Sequence, residues 1–72
     1  MSVTSEADFL QISRAVLITR EKVDPGLATL IATALARHTR DVREAIHFGR
    51  LCKTEEDIKS LLQLKYPSRG LF

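Results

Sequence analysis

The sequence predicts an all-α domain, a compact bundle of three or four short helices, and three observations carry that expectation. Apolar residues recur at spacings of three, four and seven, the repeat of one helix face, and nowhere alternate as in a half-buried strand. Short hydrogen-bond acceptors stand just before the periodic runs, at Ser5, Asp24 and Thr54. The 72 residues contain no internal repeat, low-complexity tract or linker, so the chain reads as one domain.

The first helix opens at Thr4 or Ser5, with Asp8 three residues beyond Ser5 in the position of a capping box. Residues 1–4 before it are expected to be a flexible end. Phe9, Ile12 and Val16 form one stripe and Leu10 and Leu17 another beside it, so the helix is apolar over a wide arc from Phe9 to Ile18. Such width implies packing on two sides. Arg20 to Val23 then make a short polar connection without glycine, and Val23 stands where a hydrophobic staple would meet Ala28.

Residues 24 to 53 hold the longest helical pattern. Asp24 is an N-cap, and Pro25 follows at the first helical position, where its missing N–H costs nothing. Leu27, Leu30, Ile31, Ala34, Leu35, Val42, Ala45 and Ile46 share one side. Two readings compete near Thr39. In one, a single helix runs from about Pro25 to Phe48, because no Gly or Pro interrupts the pattern after Gly26. In the other, Thr39 caps a new helix whose first turn holds Asp41 and Glu44, acids near the positive end of the helix dipole. A continuous helix exposes its stripe to a partner, whereas a break lets the chain fold back on itself. The pattern ends around Phe48 to Lys53, with Gly49 suited to a left-handed terminator and Arg50 to the carbonyl end.

Thr54 caps the last helix, and Glu55, Glu56 and Asp57 fill its first turn. Ile58, Leu61 and Leu62 form its buried stripe, which Leu64 widens; Pro67 stops it. Residues 67–72 read as turn chemistry followed by two apolar residues, and are expected to be a flexible end.

A chain of this length stabilises a single core only marginally, so a disulfide, a metal or a partner is the expected supplement. One cysteine cannot form an internal disulfide, and Cys52, His38 and His47 match no common zinc spacing, so neither metal nor cofactor is expected. Association remains. The main expectation is a homodimer, or a subunit docked in a larger assembly, with Phe9, Leu10, Leu17, Leu30, Ile31 and Leu35 lining the contact.

The alternative is a nucleic-acid-binding regulator. The formal charge of +2 is unevenly spread: residues 1 to 30 sum to −1, residues 31 to 53 to +3, and the remainder balances. The excess comes from Arg37, Arg40, Arg43, Arg50 and Lys53, joined by His47, a set that could meet phosphates or an acidic protein. Asp41 and Glu44 lie within the row and oppose phosphate. With a break at Thr39, the stretch also has the outline of a helix-turn-helix, though without the glycine such turns often carry.

An enzyme is not expected. Ser13 and Ser60 have no evident base nearby, no Gly-rich loop precedes a helix, and capping already explains the acidic clusters. His38 falls near the apolar stripe, where a packed or interface role is simpler than that of a general base, and Cys52 reads as a small loop thiol. The acidic start and the absence of any long apolar run predict a soluble, intracellular protein with no membrane partner.

The run GRLCKTEEDI, residues 49 to 58, resembles the second loop and last-helix start of histone-fold proteins, where a Gly-Arg pair precedes a Thr cap and an Asp that clamps the Arg. Arg50 and Asp57 stand at the matching separation. The resemblance implies a long central helix between two short ones, handshake dimerisation, and DNA or a transcription complex as partner. Val23 to Arg50 is several residues shorter than that family's central helix.

Overall fold

The computed structural model describes residues 5–66 and shows four α-helices, α1 (Glu6–Thr19), α2 (Pro25–Leu35), α3 (Val42–Leu51) and α4 (Glu55–Lys65). No strand occurs among the described residues. The ends expected to be flexible, and the stop at Pro67, lie outside them.

Each helix starts on a side-chain cap. Ser5 Oγ accepts from Asp8 N at 3.1 Å, and Asp24 Oδ2 accepts from Gly26 N at 3.0 Å and Leu27 N at 3.3 Å. In α4 the box is reciprocal: Thr54 Oγ1 accepts from Asp57 N, while Asp57 Oδ2 accepts from Thr54 N at 3.2 Å and Lys53 N at 2.8 Å. Aspartate therefore reaches far enough to replace the usual glutamate at that position.

The central stretch is broken, and the cap of the new helix is Asp41, not Thr39. Asp41 Oδ1 accepts from Arg43 N at 3.0 Å, and Thr39 Oγ1 supports the turn by accepting from Asp41 N at 2.9 Å. On the other side of the bend, His38 N and Thr39 N both donate to Leu35 O, and the Arg40 guanidinium donates to the Ala36 and Thr39 carbonyls. Side chains thus satisfy the backbone groups that both helix ends leave free. No glycine or proline is needed.

The bend folds α3 back onto α1, which packs against both α2 and α3. Phe9, Leu17, Ile31, Leu35 and Phe48 are the largest apolar side chains in the resulting core, each at most 2% exposed. The buried line of α1 runs Phe9, Ser13, Leu17, four residues apart, between the two stripes the sequence suggested, so Ile12 is 45% exposed. Gly49 does not terminate α3. It lies buried within the helix, where α1 comes so close that a Cβ on Gly49 would collide with Leu17 Cδ2.

Ser13 is fully buried, and its Oγ has no hydrogen-bond partner among the described residues. Removing a buried, unsatisfied hydroxyl and gaining alanine's helix propensity act in the same direction. Ser13→Ala is therefore expected to raise the unfolding free energy by about 1 kcal/mol in urea titrations. A loss of stability would mean that the hydroxyl has a partner.

Candidate interaction surface

Four of the six residues expected to line a partner contact, Phe9, Leu17, Ile31 and Leu35, are instead in the chain's own core, each with no exposed surface. The bend at residues 36–41 is the reason, since it supplies α3 as the second neighbour that the wide arc of α1 required. Leu10 is half-buried against the core, and only Leu30 stays exposed, at 42%.

The basic residues divide in a similar way. Arg43, His47 and Arg50 share the outward face of α3 at spacings of four and three, as the sequence pattern requires. Arg37, Arg40 and Lys53 lie in the connecting segments instead. Arg40 is half-buried, turned toward the two carbonyls of the bend and 3.7 Å from the Glu6 carboxylate. Arg50 pairs with Glu21 through contacts of 3.1 and 3.4 Å. Arg43 bonds the Asp41 carboxylate at 3.3 Å, and this bond, with that from its own N–H, holds the Asp41 carboxyl below its ordinary pKa. A continuous row on one helix is not formed.

The Arg50–Glu21 pair also replaces the Arg–Asp clamp implied by the histone-fold resemblance, because Asp57 is engaged by Lys53 N and Thr54 N. With the long central helix absent as well, that architecture does not describe this chain.

One apolar surface does remain open. Between α3 and α4, Phe48, Leu51, Leu61 and Leu64 line a groove of about 220 Å³, with His47 and Lys65 at its rim. Phe48 is buried, while Leu51 is 50% exposed and Leu64 78%. Leu64 therefore does not widen the buried stripe of α4. The stripe centres on Ile58 and Leu62, which turns Leu64 outward.

This hairpin is fastened at its far end by a contact that sequence patterning did not identify. Tyr66 Oη donates to Glu44 Oε2, Lys65 Nζ lies 3.3 Å from the same oxygen, and the Tyr66 ring stacks on His38 at 4.1 Å and 5°. Burial, followed by the hydrogen bond to the Glu44 carboxylate, raises the Tyr66 hydroxyl well above the ordinary tyrosine pKa. The only available signal was the position of Tyr66, four residues after Leu62 on the buried side. His38 is thus a packed residue, as its place by the apolar stripe suggested.

Cys52 closes α3 as a residue only 1% exposed, and burial, reinforced by Asp57, pushes its pKa up to about 11. Folding therefore disfavours the thiolate: the stability this contributes is full below the ordinary value of 9.0 and is lost as pH rises through about 11. The native protein at pH 8 should leave a disulfide reagent such as DTNB nearly unreacted, with one thiol released after unfolding in guanidinium. Prompt release from the native protein would show that the thiol is open to solvent.

Among the described residues, no group of three or more His, Cys, Asp or Glu converges as a metal site would require, and no helix is long and apolar enough to cross a membrane. No family model matches the chain, and no curated protein or solved structure is significantly similar to it.

Proposed function

We propose that the chain is a small non-catalytic interaction module that docks another polypeptide on its α3–α4 face, as a homodimer or as a subunit of a larger assembly. The observation that carries this reading is the exposure of Leu64 and Leu51 side by side, next to an apolar groove floored by Phe48. Large aliphatic side chains scattered singly are ordinary on a surface; clustered around a recess, they mark a contact site. Covering them is favourable by roughly 25 cal/mol per Å² of apolar surface removed from water.

The ion pairs support a protein partner over a nucleic acid. At Arg40, Arg43 and Arg50, a phosphate would have to displace the carboxylates of Glu6, Asp41 and Glu21 respectively.

The test is to place a photo-crosslinking amino acid at position 51 or 64, and at exposed Thr33 on α2 as a control, in cells that make the protein. Discrete protein adducts are expected from positions 51 and 64 and not from 33. Absence of adducts from both, or equal yields from all three positions, would overturn the reading. Adducts to nucleic acid from position 43 or 47 that vanish steeply with salt would replace it with the basic-face alternative.

A further inference from the structure

We propose that α4 is a releasable arm, which swings as one unit away from the body formed by α1, α2 and α3 about a hinge at residues 52–54, and which a latch at Tyr66 holds closed.

Packing is the first ground. The body buries Phe9, Leu17, Ile31, Leu35, Ala45 and Phe48, each at most 2% exposed. In α4 only Ile58 and Leu62 are buried, at 4% and 7%. The backbone of α4 runs close to α2 and α3 and does not approach α1. Segments with few buried apolar contacts are those that open below the cost of global unfolding.

The polar ties are divided in the same way. Arg14 Nε donates to Thr29 Oγ1 at 2.7 Å, joining α1 to α2. Arg50 of α3 bonds Glu21, just beyond α1, at 3.1 Å, and Arg40 in the bend lies 3.7 Å from Glu6 at the start of α1. All three lie within the body. The side chains that tie α4 to it gather at the C-terminal end, where Tyr66 Oη donates to Glu44 Oε2, Lys65 Nζ lies 3.3 Å from the same oxygen, and the Tyr66 ring stacks on His38.

At the other end of α4 the bonds are local and travel with it. Asp57 accepts from Lys53 N and Thr54 N, and Thr54 accepts from Asp57 N. Cys52 stays with the body, since its N–H closes α3 on Phe48 O. The backbone is extended at both Cys52 and Thr54, so these few non-helical residues can absorb the rotation. From there Tyr66 stands a helix length away, roughly 16 Å at 1.5 Å per residue, so the latch grips the arm at its far end.

Opening has a direct structural result. Phe48 and Leu51 supply one wall of the apolar groove, and Leu61 and Leu64 the other, so the groove is assembled only while the arm is closed.

The experiment is native-state amide hydrogen exchange, followed residue by residue by NMR on the full chain, for the wild type, Tyr66→Phe and Leu17→Val. Helicity by circular dichroism should be the same for all three. In the wild type, amides of residues 58–65 should share one protection factor, at least tenfold below the highest in α1 and α3. Tyr66→Phe keeps the ring and removes the bond to the carboxylate, which weakens the closed form against both the open and the unfolded one. Protection in α4 should therefore fall about tenfold, and that in α1 by the same factor. Leu17→Val alters the body, which is intact whether the arm is open or closed. It should lower protection in α1 and α3 several-fold and leave α4 unchanged.

Four results would each overturn the proposal: protection in α4 equal to that in α1, protection that declines gradually toward Tyr66 as in a fraying end, an effect of Leu17→Val on α4 as large as on α1, or no effect of Tyr66→Phe on α4. None of these readouts depends on a docked polypeptide. Absence of crosslinks from positions 51 and 64 would remove the docking reading and leave the arm standing, and uniform exchange would do the reverse.

Discussion

Phe48→Ala is expected to lower the unfolding free energy by about 3–5 kcal/mol, close to the whole stability of a domain of this size. Phe48 is 2% exposed, belongs to the core that α1, α2 and α4 share with α3, and also floors the α3–α4 groove. Truncation removes its packing and opens a cavity that the surrounding core collapses only partly to fill. The variant should be largely unfolded by circular dichroism near 37 °C, while Phe48→Leu keeps the helices and loses about 1–2 kcal/mol. A folded Phe48→Ala protein with an unchanged urea midpoint would mean that the core does not depend on this ring.

The neighbouring position should fail for the opposite reason. In an exposed helix interior, Gly→Ala stabilises by roughly 0.5–1 kcal/mol. At Gly49 the sign is expected to invert, with a loss of about 1–3 kcal/mol in urea titrations, because the added carbon collides with Leu17 Cδ2. Leu17 is fully buried, so its side chain can yield only by displacing the core around it. Leu17→Ala alone should be destabilising by about 2–5 kcal/mol, yet the double variant should be more stable than the sum of the two losses predicts. A stabilised Gly49→Ala protein would rule out the close approach of α1 and α3.

These two positions also show where patterning ran out. The caps at Ser5, Asp24 and Thr54 were legible because capping is a local exchange between a side chain and the backbone two or three residues on. The bend was legible only as one of two readings. What decides it includes the Arg40 guanidinium bonding carbonyls behind it, a contact that propensity does not encode. Gly49 looked like a terminator because glycine is common there; its actual role, letting two helices touch, depends on which helix arrives opposite.

The candidate surface was legible in kind and not in place. A wide apolar arc on α1 and α2 does call for a second neighbour, but sequence cannot distinguish a neighbour supplied by another chain from one supplied by α3. Once α3 fills that role, Ile31→Glu would unfold the monomer and could not report on an interface. Leu64 was read with the buried stripe of its helix and Leu51 was given no role, since the edge of a stripe that faces outward is set by packing angles between helices and not by spacing.

The fastening at the end of α4 gives the protein a built-in optical reporter. The chain has one tyrosine and no tryptophan, so all of its intrinsic emission above the phenylalanine band comes from Tyr66. A phenol bonded to the Glu44 carboxylate and stacked on His38 is expected to be quenched through both contacts. Release of α4 from α3 is expected to brighten that emission, so that opening of this one hairpin can be followed separately from the loss of total helicity, without any added dye.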